Sequence, residues 1–126
     1  MNEGPRDLRL AGSAERALVD VLDRSETRFG AVVRDRYARL VTAALADLAH
    51  DPDRTGVRWI EVGTQRLGLY HIRHSRSRAG EPGERVRHPR HIVVFRRDGD
   101  RALEVIGILH DSMLPDRHLT EFLSER

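Results

Sequence analysis

The chain has 126 residues, which suffice for one hydrophobic core and not for two, so we expect a single domain over residues 1–126. It contains no cysteine and no apolar run near the roughly 20 residues that cross a bilayer, which excludes thiol chemistry and predicts a cytoplasmic protein without membrane contact. Its net charge of +2 hides a basic middle, because residues 66–97 carry nine arginines against two glutamates, and such a block attracts a polyanion or an acidic protein segment.

The N-terminal half predicts a short strand followed by two helices. Residues 8–11 are suited to a strand, and Ser13 is suited to cap a helix over residues 14–28, because its hydroxyl can accept an amide hydrogen of the first turn. Gly30 predicts the break after this helix. A second helix is predicted over residues 31–49, where apolar side chains recur every three or four positions. The two helices would form a hairpin with one apolar face.

The C-terminal half predicts strands and turns. We expect a long connection over residues 53–68, a strand over 69–74 and a mobile loop rich in Arg, Gly and Pro over 75–88. Asp98-Gly99 lies between two apolar runs, 91–95 and 102–109, and predicts a β-hairpin. A short last helix is predicted over 116–124. The order β-α-α-β-β-β predicts an α+β fold in which the helical hairpin covers one face of an antiparallel sheet.

The last predicted strand carries apolar residues on both faces. Strict alternation puts Leu103, Val105 and Leu109 on one face. The same alternation puts Ile106 and Ile108 on the other. We therefore expect both faces to be at least partly buried, one against the helices and the other as a groove for a different occupant.

The histidines are the candidates for chemistry. His110 ends the last strand and could titrate near neutral pH, although a hydrogen bond to its neighbours is the simpler interpretation. The pairs His71-x-x-His74 and His88-x-x-His91 have the spacing of residues that point to opposite faces of a strand. We therefore predict no metal site and no cofactor.

Several segments together resemble the RelE/ParE superfamily, the small toxins of type II toxin–antitoxin modules. They are the Phe29-Gly30 break of the helical hairpin, the His-x-Val-x-Phe-Arg strand that begins at His91, and the Leu-His-Asp-x-Met ending that begins at Leu109. The resemblance covers about residues 8–119, and the ending resembles the ParE branch in particular. It implies the α+β toxin fold described above.

The resemblance also implies two partners. A ParD-like antitoxin would form a hetero-oligomer with the toxin by folding a partly acidic C-terminal segment onto its sheet and helices. We expect the antitoxin to contact Arg73, Arg96, Arg97, Ile106 and Ile108. ParE-like toxins act by binding DNA gyrase, so the second expected partner is gyrase. We place the gyrase contact at Met113, Leu114, Arg117, His118 and Leu119.

Two alternatives stay open at this point. RelE-like toxins cleave mRNA on the ribosome, and this reaction needs an acid or base and cations that stabilise the charge on the attacked phosphate. Arg73, Arg96 and His110 are the candidate catalytic residues for it, whereas the ParE-like interpretation predicts no catalytic residue. The second alternative is a degenerate toxin that retains only antitoxin binding.

Overall fold

A helical hairpin and a five-stranded sheet form the fold of residues 4–113, which are the residues that the computed structural model describes. The elements in chain order are β1 (Asp7–Leu10), α1 (Gly12–Phe29), α2 (Ala31–His50), β2 (Val57–Val62), β3 (Gln65–His71), β4 (His91–Arg97) and β5 (Ala102–His110). Three 3-10 segments add to these, Ile72–Arg78, Pro82–Glu84 and Asp111–Met113. The predicted α+β class is confirmed, and the predicted last helix, 116–124, lies outside the described residues. No described helix is long and apolar enough to cross a membrane.

The sheet is mixed rather than purely antiparallel, with the strand order β1-β5-β4-β3-β2. Strands β2 to β5 are antiparallel to their neighbours, whereas β1 runs parallel to β5. Strand β2 was not predicted from the sequence, because it lies inside the segment 53–68 that was predicted as a connection. Val62 pairs with Gln65, so only Gly63 and Thr64 form the turn between β2 and β3. Gly63 has a φ of 62°, which suits such a two-residue hairpin turn.

The helical hairpin follows the prediction except at its start. Gly30 has a φ of 91° and separates α1 from α2, as its position in the sequence predicted. Ser13 is not the N-cap of α1. The helix begins at Gly12 after Ala11, and the Ser13 hydroxyl donates a hydrogen bond of 2.9 Å to the carbonyl of Ile106. Ser13 therefore ties α1 to β5 instead of capping the helix.

The main core lies between the helices and one face of the sheet. Its largest fully buried members come from both layers and include Leu40, Leu48, Tyr70, Phe95 and Leu103. Burial of these side chains follows from the apolar stripe of α2 and the inward face of the strands, and each contributes about 1.5–3 kcal/mol. This layer fixes the helices against the sheet and so positions the surface that both share.

A β-bulge in β5 breaks the alternation that the sequence predicts. The register passes from the pair Phe95–Val105 to the pair Val94–Gly107, which leaves Ile106 without a partner residue. An extra residue of this kind reverses the side-chain order on the strand beyond it.

The bulge moves two residues to faces opposite to the predicted ones. Leu109 joins Ile106 in a second apolar cluster on the sheet face away from the helices. Ile108 lies on the helix side, where it lines a groove with residues of α1 and α2. The expectation that both faces carry buried apolar residues is confirmed, but strict alternation assigned Leu109 and Ile108 wrongly.

The segment between β3 and β4 is more regular than predicted. The strand expected over 69–74 ends at His71, where the chain turns into the 3-10 segment Ile72–Arg78. The His71 ring accepts a hydrogen bond of 3.1 Å from the amide of Arg73, which caps this segment. Ile72 and Ser75 are buried, so the predicted mobile loop over 75–88 begins in the core.

Arginines of this segment hold its own backbone. Arg76 donates a hydrogen bond of 2.5 Å to the carbonyl of Val86, and Arg85 donates to the carbonyls of Gly80 (2.9 Å) and Ser77 (3.1 Å). Part of the basic block therefore satisfies backbone acceptors inside the segment. The sequence could not distinguish these arginines from those that face solvent.

A buried carboxylate fastens the same segment to α2. Asp47 is 4% exposed and accepts a hydrogen bond of 2.6 Å from Ser75. Arg54 and Arg78 approach its two oxygens at 3.0 and 2.9 Å, so its charge is paired twice. The Ser75 hydroxyl also lies 2.7 Å from the hydroxyl of Tyr70 in β3.

Candidate functional site

A large open groove lies between the helical hairpin and the end of the β4–β5 hairpin that is distant from its turn. Its volume is about 1090 Å³. Its wall is formed by both helices, by residues 86–90 before β4 and by the C-terminal end of β5. It is the larger of the two cavities that stand out among the described residues.

The groove combines an apolar floor with a cationic rim. The floor includes Val21, Val33 and Ile108, and Phe29 and Met113 extend it to the surface with exposed fractions of 66% and 41%. The charged residues of the lining are Arg24, Arg28, Arg36, Arg87, Arg90 and a single acid, Asp20. A surface of this composition suits a segment that carries both apolar and acidic side chains.

Tyr37 of α2 and His91 of β4 form a hydrogen-bonded pair on the wall of the groove. The Tyr37 hydroxyl lies 2.5 Å from Nδ1 of His91 and accepts a hydrogen bond of 3.1 Å from the amide of Arg90. Burial raises the pKa of Tyr37 above its ordinary value, so the hydroxyl keeps its proton. This hydroxyl already accepts the Arg90 amide hydrogen and has no other hydrogen-bond partner within residues 4–113, so we assign its proton to the bond with His91. Burial and the neighbouring His110 lower the pKa of His91 to about 4, which keeps this imidazole neutral at pH 7.

His110 ends β5 directly opposite His91. The two residues are register partners, and their rings meet edge to face with centroids 5.4 Å apart. Nδ1 of His110 accepts a hydrogen bond of 3.2 Å from the amide of Ser112 and lies 2.7 Å from the Ser112 hydroxyl. The ring is thus oriented by the turn that follows the strand, and its side chain is 40% exposed.

A carboxylate behind these histidines links the same strand end to β3. Asp111 accepts hydrogen bonds from Arg90 at 3.0 Å and from His71 at 3.2 Å. Burial acts to raise the pKa of Asp111, but the hydrogen bonds from Arg90 and His71 outweigh it and lower this pKa below its ordinary value. Asp111 therefore stays ionised and holds Arg90 at the rim of the groove.

Arg96 and Arg97 lie at the other end of β4 and are already paired. Arg96 donates to Glu104 at 2.7 Å and to Gln65 at 2.8 Å, and Arg97 donates to Asp53 at 2.5 Å. Both line a smaller pocket of about 420 Å³ beside Trp59. The guanidinium of Arg97 lies 5.3 Å from the Trp59 ring centroid.

The candidate catalytic residues do not converge. Arg96 and His110 occupy opposite ends of the β4–β5 pair, about 17 Å apart along the strands at roughly 3.4 Å per residue. Arg73 is exposed in the 3-10 segment after β3. Within residues 4–113, no three histidine, aspartate or glutamate side chains are placed to hold a metal ion.

The other predicted contact residues are placed as follows. Ile106 and Ile108 are buried, with exposed fractions of 1% and 6%. Met113 lies at the edge of the groove. The remaining predicted gyrase contacts, Leu114, Arg117, His118 and Leu119, lie outside the described residues.

Sequence reasoning found His110 but missed the residues around it. The signal for the pair was the hairpin register, since counting outward from Asp98-Gly99 brings His91 near His110. The bulge at Ile106 shifts that count by one residue and hides the pairing. The contact of Tyr37 with His91 joins residues 54 positions apart, and no local pattern indicates it.

Comparisons with known proteins bear on this fold and groove. Residues 8–115 match the family model described as the ParE toxin of the type II toxin–antitoxin system parDE. The fold is similar to a chain in the crystal structure of the toxin–antitoxin complex RelBE2 from Mycobacterium tuberculosis, with a TM-score of 0.53, 16% sequence identity, and coverage of 86% of this chain and 93% of that chain. No curated protein matches the sequence. Because the family model spans most of the chain, this protein belongs to the ParE toxin family of type II toxin–antitoxin systems.

Proposed function

We propose that this ParE-type toxin is neutralised by an antitoxin segment that lies in the groove, and that the free toxin acts by binding DNA gyrase. The observation that carries the first part is the composition of the groove, five arginines around an apolar floor with one acid. The second part rests on the ParE family to which the chain belongs.

The groove favours an amphipathic and acidic occupant. Phe29 and Met113 leave large apolar surfaces in water, and a partner that covers them gains about 25 cal/mol for each Å² of apolar area removed from water. The cationic rim adds long-range attraction for acidic side chains and raises the association rate. A segment that folds on binding can use both contributions over a long surface.

The predicted antitoxin contacts Arg96 and Arg97 differ from the groove arginines in how far their charge is already paired. Arg96 and Arg97 are neutralised by Glu104 and Asp53, so their charge is partly spent inside the toxin. At the groove rim Arg24 and Arg90 are likewise paired with Asp20 and Asp111. Arg28, Arg36 and Arg87 have no ion pair within residues 4–113. We therefore propose that the groove carries the principal antitoxin contact, and that Arg73, Arg96 and Arg97 contribute secondary ones.

A binding mechanism at gyrase agrees with the positions of the candidate catalytic residues. RNA cleavage by Arg73, Arg96 and His110 would require all three near one phosphate, and Arg96 lies at the far end of β4. We propose that the gyrase contact lies in the C-terminal part of the toxin, which starts beside the groove at Met113.

A supercoiling and DNA-cleavage assay with purified gyrase tests the proposal. We expect the toxin to reduce supercoiling and to accumulate cleaved DNA, and we expect the antitoxin encoded beside it to reverse both effects. The His110→Ala variant should remain toxic if the protein acts by binding.

Full gyrase activity in the presence of folded toxin would contradict the gyrase proposal. A ribosome-programmed mRNA cleavage assay would then separate the RelE-like alternative, with loss of cleavage in His110→Ala, from a degenerate toxin. In the latter case the toxin binds its antitoxin but is inactive in both assays.

A further inference from the structure

Two histidines face one another on the wall of the groove. His91 and His110 are directly opposite across β4 and β5, and the amide of Asp111 donates to the carbonyl of Arg90 at 2.7 Å on one side of them. That bond marks the two histidines as a non-hydrogen-bonded pair, the kind in which opposite side chains come closest in an antiparallel sheet. Both rings line the groove.

In each ring Nδ1 is hydrogen-bonded, whereas Nε2 is not. Nδ1 of His110 accepts the amide hydrogen of Ser112, so the neutral ring carries its proton on Nε2. Nδ1 of His91 accepts the hydroxyl proton of Tyr37, which gives the same tautomer. Within residues 4–113 neither Nε2–H has a hydrogen-bond partner. The pair thus supplies two oriented N–H donors.

The surroundings favour an anion as the acceptor for these donors. Charged and titratable groups come from every element around the pair: Asp20, Arg24 and Arg28 of α1, Arg36 and Tyr37 of α2, His71 of β3, Arg87, His88 and Arg90 before β4, and Asp111 after β5. Both acids are already paired, Asp20 with Arg24 at 3.7 Å and Asp111 with Arg90 and His71. Asp111 also lies 3.6 Å from Nδ1 of His110, on the side of the ring away from Nε2. A cation would be repelled here, whereas a carboxylate would meet two N–H donors and nearby guanidinium groups.

Resting on the proposed function, we propose that His91 and His110 form a carboxylate-binding subsite that receives an Asp or Glu side chain of the antitoxin. His91 is held neutral and donates one N–H. His110 is more exposed and donates the second N–H from Nε2, because its Nδ1 accepts the Ser112 amide hydrogen at 3.2 Å. A bound carboxylate thus receives hydrogen bonds from two rings that face one another across β4 and β5.

Isothermal titration calorimetry of the full-length toxin at neutral pH tests this inference. The probe is the C-terminal half of the antitoxin encoded beside this chain. His110→Phe and His91→Phe each keep a ring and lose an N–H donor to the carboxylate, so we expect each to raise Kd by about tenfold. His110→Gln keeps an N–H donor near the position of Nε2, so its Kd should change by less than about threefold. His88→Phe is the matched control, because His88 also lines the groove and lies outside the pair.

The outcomes separate the subsite from the proposed function. Unchanged affinity in His110→Phe and His91→Phe, or an equal loss of affinity in His88→Phe, would overturn the subsite and leave the groove as the antitoxin site. A loss in His110→Gln equal to that in His110→Phe would also overturn it, because the N–H donor is kept. Absence of antitoxin binding to the unmodified toxin would overturn the proposed function and the subsite together. If one of the two Phe variants of the pair fails to fold by circular dichroism, the other one decides.

Discussion

Gly68 lies in β3 against the ring of Phe95. A Cβ atom at this position would be 2.5 Å from two ring carbons of Phe95, which is fully buried. The Phe95 ring also packs edge to face against Trp59 with centroids 5.2 Å apart, so it has little room to move. The absence of a side chain at residue 68 is therefore a packing requirement rather than a turn requirement.

Gly68→Ala should lower the free energy of unfolding by about 1–3 kcal/mol through this overlap. Urea denaturation followed by the fluorescence of Trp59 measures the effect. Gly83→Ala is the matched control, because no atom lies within 4 Å of its added Cβ, and its effect should stay within about 0.5 kcal/mol. Equal effects of the two substitutions would contradict the proposed overlap with Phe95.

The lowered pKa of His91 predicts that the free energy of unfolding falls in mild acid. Its pKa is about 4 in the folded protein against 6.5 ordinarily, because burial and the neighbouring His110 disfavour its charged form. The unfolded chain therefore binds the proton first, and the stability falls as the pH drops from about 6.5 to about 4. His74, whose pKa is lowered by burial and by Arg73, acts in the same direction.

Between pH 7 and pH 4.5 we expect the free energy of unfolding to fall by about 2–3 kcal/mol on account of His91. Urea denaturation at several pH values should show this slope in the unmodified protein and most of it removed in His91→Gln. His50→Gln, at an exposed residue at the end of α2, should keep the full slope. A slope that is the same in all three proteins would assign the pH dependence to other groups.

At the scale of elements, the connection between β3 and β4 depends on arginine side chains for its order. Arg85 donates to two carbonyls of this segment, those of Gly80 and Ser77. Arg87 is two residues further along, and within residues 4–113 it has no hydrogen bond or ion pair. Substitution of either arginine therefore removes one positive charge, but only substitution of Arg85 removes hydrogen bonds of the segment.

Arg85→Gln should open this segment locally, because it removes two hydrogen bonds that together contribute about 1–3 kcal/mol. Hydrogen exchange of the Ala79 and Glu84 amides, which are hydrogen-bonded inside this segment, measures the opening. We expect faster exchange in Arg85→Gln than in the unmodified toxin and an unchanged rate in Arg87→Gln. Equal rates in all three would show that Arg85 does not order the segment.

The elements that the sequence predicts well are those with a local cause. The helical hairpin follows from an apolar stripe of period 3.6 and from Gly30, and the β4–β5 hairpin follows from Asp98-Gly99. By contrast, β2 is a short edge strand in a segment that was predicted as a connection. It is recognised as a strand only through its pairing with β3. The order of residues 75–88 depends on Asp47, which lies in another element and is distant in sequence.

The same distinction applies to the candidate site. His110 could be singled out because it ends a recognisable strand. Its position opposite His91 depends on the bulge at Ile106, and the tautomer of His91 depends on Tyr37 from a different layer of the fold. The groove itself requires α1, α2 and β5 to be assembled. The sequence therefore predicted the basic character of the surface but not where its unpaired charge lies.

At the scale of the whole molecule, the arginines near one end of the sheet are paired with acids, whereas several at the other end are not. Arg9, Arg96 and Arg97 are paired with acids near the Asp98-Gly99 turn. The groove lies at the opposite end, where Arg24 and Arg90 are paired with Asp20 and Asp111. Arg28, Arg36 and Arg87 also line the groove and have no ion pair within residues 4–113. An approaching acidic antitoxin should therefore be attracted to the groove end of the molecule, because the unpaired arginines lie there.

Two double substitutions with the same net charge test this asymmetry. Arg28→Gln with Arg36→Gln removes two positive charges from the groove, and Arg96→Gln with Arg97→Gln removes two from the far end. In stopped-flow experiments at low salt we expect the groove variant to associate with the antitoxin about tenfold more slowly, and the far-end variant less than about twofold more slowly. The difference should shrink at high salt, because a Debye length of about 3 Å at 1 M screens long-range attraction. Equal slowing by both variants would show that the net charge, and not its location at the groove, attracts the antitoxin.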